Sequence, residues 1–219
     1  EVRKLYSSVI GMNMALRSFK KFVPLQVVSK IIKSKKEVTP ELRFTPLTIM
    51  FQDIEGFTGI AEILDPSILA RLTGEYMDVM TNIIVKHKGT IDKYIGDCIM
   101  SLFNAPDEVP DHQLAAVEAA LECCLAVKEK NKEWKAKYGV EMKFRTGINF
   151  GQVLVGTMGS ENRMNYTAFG DDVNIAARLE SANKWFGTRL IISKQVFARL
   201  PKVFLLIYFY YFSFGNNTL

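Results

Sequence analysis

The chain has 219 residues, of which 48% are hydrophobic and 23% charged, with a net charge of +5. Those proportions exclude a disordered or fibrous chain and leave enough apolar material for a sizeable core plus an appendage. The charge is lopsided: residues 1–37 hold nine Lys/Arg against two acids, a net +7, which leaves −2 for the remainder. The folded part is therefore not a basic nucleic-acid binder. The basic segment suits either an anionic membrane surface or a solvated linker helix.

Three cysteines, two of them adjacent (Cys98, Cys123, Cys124), fit reduced thiols in a cytoplasmic setting better than a disulfide framework. No signal peptide and no apolar run of membrane-spanning length is evident. Because the chain opens at Glu1, it is expected to be part of a longer protein, with any membrane anchor outside it.

In chain order, residues 5–34 predict a helix in two pieces broken at Pro24, followed by a polar linker from Lys33 to Pro46. An apolar run predicts a strand at 47–54, then a short helix at 57–64 and a longer one at 66–88. The longer helix carries a Leu69, Leu72, Tyr76, Val79, Met80, Ile83 stripe and ends in Lys86-His87-Lys88-Gly89. Solvation at that helix end accounts for His87. Thr90–Ile95 and Cys98–Phe103 flank Gly96-Asp97, which predicts a tight hairpin. Asp111 is the expected N-cap of a helix over 111–137, with Leu114, Val117, Leu121, Cys124 and Val127 inward; His112 has no partner pattern.

Met142–Phe150 and Gln152–Met158 predict a β pair punctuated by Gly151. Gly170-Asp171-Asp172 opens a helix to about Trp185, followed by a strand at Arg189–Ser193 and a short helix to Arg199. This order predicts an α+β fold with a mixed or antiparallel sheet, not a doubly wound parallel one.

Three constellations carry possible chemistry. Asp53 ends the first strand and Asp97 sits in the hairpin turn, so a central sheet can bring both carboxylates to one end. Two converging carboxylates suit a pair of divalent ions at a phosphoryl centre, although each Asp alone also suits a turn. Lys93, on the strand leading to Asp97, offers a donor to a purine, and Thr167 offers a second polar contact; the competing reading of Lys93 is a snorkelling surface lysine. Asn174 and Arg178 lie four apart on a helix that is apolar around them. An arginine there calls for a phosphate or for a structural carboxylate partner.

The segments Phe51-Gln52-Asp53-Ile54-Glu55-Gly56-Phe57-Thr58, Lys93-Tyr94-Ile95-Gly96-Asp97-Cys98-Ile99-Met100 and Gly170-Asp171-Asp172-Val173-Asn174-Ile175-Ala176-Ala177-Arg178-Leu179 together resemble the catalytic domain of the class III nucleotidyl cyclases. Arg145–Gly151 and Val155–Ser160 are similar to further motifs of that family, and residues 24–32 resemble the helix that precedes its catalytic domain.

The resemblance covers about residues 40–200, after a basic helical linker at 1–39. It implies a ferredoxin-like βαββαβ domain that works as a dimer, either a homodimer or a heterodimer with another cyclase domain, with sites between subunits. Asp53 and Asp97, helped by the Ile54 carbonyl, would hold two divalent ions, Mg²⁺ or Mn²⁺. The backbone at Glu55, Gly56, Phe57 and Thr58 would cradle the triphosphate. Lys93 and Thr167 match base-selecting positions of the adenylyl type, and Asn174 and Arg178 match the transition-state pair from the opposite subunit. The implied activity is conversion of ATP to cyclic AMP in a cytoplasmic domain, with membrane attachment only through a parent protein.

After about Leu200 the resemblance stops. Residues 201–219 form an apolar, aromatic tail where the family carries a triphosphate-binding lysine. A truncated C-terminus is the expectation there, and guanylate cyclase or a non-catalytic nucleotide-binding module are the alternative functions.

Overall fold

A computed structural model describes residues 2–19, 22–23, 27–29, 32, 39–160 and 163–202. The expected break at Pro24 and the tail at 203–219 lie outside the described residues. Helix α1 spans Val2–Phe19. The domain then runs β1 (Glu41–Ile54), α2 (Phe57–Ile63), α3 (Pro66–Lys86), β2 (Thr90–Ile95), β3 (Cys98–Phe103), α4 (His112–Tyr138), β4 (Phe144–Ser160), β5 (Arg163–Phe169), α5 (Asp171–Phe186), β6 (Leu190–Ile192) and α6 (Lys194–Phe197).

The sheet order is β2-β3-β1-β4-β5, every neighbouring pair antiparallel, with β6 parallel to the first part of β4. Strands β1 to β4, with α3 and α4 between them, have the βαββαβ order expected of the ferredoxin-like fold. Among the described residues no helix is long and apolar enough to cross a membrane.

β1 is central and buried on both faces, which is why residues 47–51 read as a nearly continuous apolar run. Leu47, Ile49 and Phe51 face a core completed by Met100, Leu102, Val153, Val155 and, from α5, Val173 and Ala176. Met50 and Ile54 face the opposite core, against Leu72, Tyr76 and Met80 of α3 and Trp134 of α4. The helices thus sort onto two faces, α3 and α4 on one and α5 on the other.

Several expectations change. β1 begins at Glu41, not at 47, because residues 41–47 pair with β4 alone before β3 joins at Thr48. Residues 41–46 are mostly exposed, and the stretch tolerates Pro46 where β1 has a single neighbour. The expected β pair around Gly151 is one strand, β4, seventeen residues long. Gly151 is not a break: a Cβ there would meet the Asp172 carboxylate at about 2.0 Å, so it serves close approach of α5.

Asp111 does precede α4, but in the left-handed region (φ 52°) and without a side-chain cap. His112 is buried and partnered: its Nδ1 lies 2.9 Å from Thr48 Oγ1. His87, at the C-terminal end of α3, pairs with Glu122 at 2.8 Å instead of simply facing water.

Candidate active site

β1 delivers Asp53 to the sheet end where the β2–β3 turn, with Gly96 at φ 64°, presents Asp97. The two carboxyls are near enough for each other's charge to be felt. Burial and the Asp53 charge hold the Asp97 carboxyl above the usual carboxylate range, against a hydrogen bond donated by the Ile54 N–H. Like charges held this close gain from a cation between them. Among the described residues no third His, Cys, Asp or Glu joins a metal-binding group. A divalent ion here would complete its shell from the Ile54 carbonyl, phosphate oxygens and water, as suits an oxygen-seeking ion such as Mg²⁺.

Asp53 has a neighbour that sequence reasoning did not single out. Arg145 lies opposite it in the β1–β4 register and forms a 3.2 Å ion pair with it through Nη2, while Nε reaches Glu180 at 3.0 Å. Glu180, on the buried face of α5, is raised by burial first and by Asp53 next, with Arg145 opposing.

After Ile54 the chain turns at Gly56, whose φ of 70° suits glycine, and enters α2. The Glu55 N–H is already donated to Lys143 O at 2.8 Å, so the expected phosphate cradle begins after it. The first intrahelical bond is Ile60 N–H to Gly56 O, which leaves the Phe57, Thr58 and Gly59 N–H groups ahead of the ladder.

β2 and β5 stand at opposite ends of the strand order, yet the sheet coils enough to bring them together. Lys93 Nζ donates to Thr167 Oγ1 at 3.0 Å. The Thr167 hydroxyl donates to Asp92 Oδ2 at 2.7 Å, and Asp92 Oδ1 sits 3.6 Å from Lys93 Nζ. The β2–β3 register slips between Ile91 and Lys93, so Asp92 is the bulged residue. Its side chain is 1% exposed, whereas that of Lys93 is 42% exposed.

Asn174 and Arg178 share the exposed face of α5, and among the described residues Arg178 has no carboxylate partner. A shallow hollow of about 310 Å³ beside Arg178 is lined by Ala177, Ser181, Ala182 and Trp185. Trp185 and Phe186 are 86% and 74% exposed. No described hydrogen bond or ion pair joins Asn174 or Arg178 to Asp53, Asp97, Lys93 or Thr167. By their described contacts the six residues thus form three pairs: Asp53 with Asp97, Lys93 with Thr167, and Asn174 with Arg178 on one helix face.

The helix bearing this face is seated by glycine. A Cβ at Gly147 would come within 2.1 Å of the Glu180 nitrogen and 2.4 Å of the Ala176 carbonyl. The spacing of α5 from β4 is therefore set by backbone contact.

Residues 40–207 match the family of adenylate and guanylate cyclase catalytic domains. The chain belongs to that family. It is 35% identical over 203 residues to adenylate cyclase 1 of Rhizobium meliloti, which covers 91% of this chain and 30% of the relative. The chain therefore spans less than a third of that relative's length.

A bacterial light-regulated adenylyl cyclase superposes with a TM-score of 0.81 at 26% identity, over 91% of this chain and 58% of the other. The guanylyl cyclase Cya2 superposes with a TM-score of 0.68 at 34% identity, over 75% and 82%. Likeness thus extends to cyclases of both nucleotides, and the base preference of this cyclase domain has to be argued from its own residues.

Three residues around the site went unassigned in the sequence. Arg145 stands inside a quoted motif but carries no signal of its own partner. Glu180 follows Val173 and Ala176 at helical spacing, so its place on the buried face was legible. Asp92 gave no signal, because a bulge breaks the alternation from which its direction would be read.

Proposed function

We propose that this cyclase domain converts ATP to 3′,5′-cyclic AMP and pyrophosphate, as a homodimer with two composite sites, in signal transduction. The observation that carries the nucleotide assignment is the 3.0 Å contact of Lys93 with Thr167. It brings the two base-reading groups, one from β2 and one from β5, to one place.

Lys93 donates to adenine N1, and Thr167 accepts from the adenine amino group. Guanine presents a donor and an acceptor in the reverse places. Asp53, Asp97 and the Ile54 carbonyl hold the divalent ions, Mg²⁺ or Mn²⁺. Bound there, the ions supply acidification of the ribose 3′-hydroxyl and neutralisation of the departing pyrophosphate.

The amides at the start of α2 face the phosphate chain. Arg178 and Asn174 come from the second subunit and neutralise charge that grows on the α-phosphate oxygens, which accelerates the reaction to the extent that they bind the transition state better than ATP. The exposed Trp185 and Phe186 on the same helix support a partner covering this face. The domain works on the cytoplasmic side, with membrane attachment, where present, supplied by a parent protein.

The test is turnover of ATP and of GTP by the purified dimer with Mg²⁺ and with Mn²⁺. ATP is expected to be preferred, and Asp97→Ala is expected to abolish product. A preference for GTP would overturn the reading of Lys93 and Thr167. Nucleotide binding without turnover by either metal form would leave a binding module in place of an enzyme.

A further inference from the structure

We propose that Asp92 is a specificity-determining positioning residue: it fixes the Thr167 hydroxyl as a hydrogen-bond acceptor, so that the base pocket takes a purine with an exocyclic amine at C6 and rejects one with a carbonyl there. The inference rests on the assignment of Lys93 and Thr167 as the base-reading pair.

A threonine hydroxyl has one proton and two lone pairs, and by itself it reads a donor or an acceptor equally well. Here its surroundings remove that freedom. The Asp92 carboxylate only accepts, so the 2.7 Å contact takes the hydroxyl proton. The Lys93 ammonium only donates, so the 3.0 Å contact takes one lone pair. A second acceptor for the proton, the Ala168 carbonyl, is 3.4 Å away and is no rival to a charged oxygen at 2.7 Å. One lone pair is left for a ligand, and it meets an amine N–H but repels a carbonyl oxygen.

The placement of Asp92 is costly in isolation, which argues that it has a use. Burial pushes its carboxyl up, with the Thr167 hydroxyl, the Lys93 charge and the Ala168 N–H opposing. Its Oδ1 is buried with no hydrogen bond, only the Lys93 ammonium 3.6 Å away. The bulge at this residue leaves the β2–β3 ladder one residue out of step. A surface strand end with no ligand to orient has no need of a buried acid aimed across to the far edge of the sheet. Asp92 also holds Lys93 toward Thr167, so that the lysine's remaining donors converge on the same ligand edge.

The experiment compares ATP with GTP as kcat/KM in the metal-loaded dimer. In parallel it measures affinities of 3′-deoxy-ATP and 3′-deoxy-GTP, which cannot cyclise, so that base selection is read even without turnover. Asp92→Asn offers Thr167 an amide N–H, frees the hydroxyl proton for a carbonyl, and is expected to lower the ATP/GTP ratio about tenfold, the size of one misdirected hydrogen bond.

Thr167→Val removes the hydroxyl while keeping its shape, and in that background Asp92→Asn is expected to leave the ratio unchanged. A merely structural role would lower both nucleotides together and keep the ratio. That outcome, or an equal effect of Asp92→Asn with and without the hydroxyl, would overturn the proposal.

A wild-type preference for GTP would instead overturn the base-reading assignment itself. Wild-type protein gives a check that needs no Asp92 variant to fold. Purine riboside triphosphate has adenine's N1 but no C6 amine and is expected to be used about tenfold less well than ATP. Equal use would overturn the proposal.

Discussion

The lack of any described contact between Arg178 and the Asp53–Asp97 pair makes a quantitative prediction about mixed dimers. Asp53 and Asp97 meet at one end of the sheet, whereas Asn174 and Arg178 are exposed on α5 beside a hollow that no described residue fills. If each site takes its metal half from one subunit and its Arg178 half from the other, Asp97→Ala and Arg178→Ala are each inactive as homodimers. When they are mixed and allowed to exchange, about half of the dimers are hybrids by random pairing of a two-fold assembly. Each hybrid has one site damaged twice and one untouched, so activity recovers to about a quarter of wild type.

Titrating one variant against the other, with cyclic AMP formation as the readout and differently tagged subunits to count hybrids, should give a maximum at equal amounts. The control pair is Asp53→Ala with Asp97→Ala, which damages the metal half of every site and should recover nothing. Hybrids without recovery in the first mixture, or recovery in the control, would refute the composite site.

Three further outcomes follow from the packing. Gly147→Ala drives a methyl into the α5 backbone, so the helix must retreat by roughly 1 Å; destabilisation of about 1–3 kcal/mol, read by thermal unfolding, should accompany a loss of turnover on the order of 100-fold, since Asn174 and Arg178 move with the helix. Arg145→Ala leaves Glu180 buried without its partner and should cost about 3–5 kcal/mol in denaturant unfolding. A much smaller loss would mean that Glu180 is protonated in the native protein.

His112 is held neutral by burial and then by the Arg199 charge, with its pKa depressed to about 4. The unfolded chain takes up this proton from pH 6.5 downward and the folded chain only near 4, so stability is full above 6.5 and is lost as pH falls between these values, at about 1.4 kcal/mol per unit. His112→Gln should flatten that part of the urea-unfolding profile by about 3 kcal/mol across the window; an unchanged slope would place the acid sensitivity elsewhere.

What was legible in the chain was legible for local reasons. The hairpin at Gly96-Asp97, the Gly56 turn and the Asn174–Arg178 face depend on residues within one or two turns of each other, and each stands where its pattern placed it. The errors came where a distant element decides. Gly151 reads as a break until α5 is known to press Asp172 against it, and Glu41–Pro46 reads as linker until β4 supplies partners for it. His112 reads as a histidine without a partner until β1 brings Thr48 to its ring.

The contacts of Thr167 are the extreme case. Lys93 and Asp92 are sequence neighbours, but their common partner lies 74 and 75 residues away on the opposite edge of the sheet. Alternation along a strand would send adjacent residues to opposite faces. Only the bulge lets Asp92 and Lys93 address the same hydroxyl, and a bulge leaves no periodic trace. Candidates for nucleotide binding can therefore be named from their motifs, whereas a residue placed as Asp92 is emerges only when the two sheet edges are seen to meet.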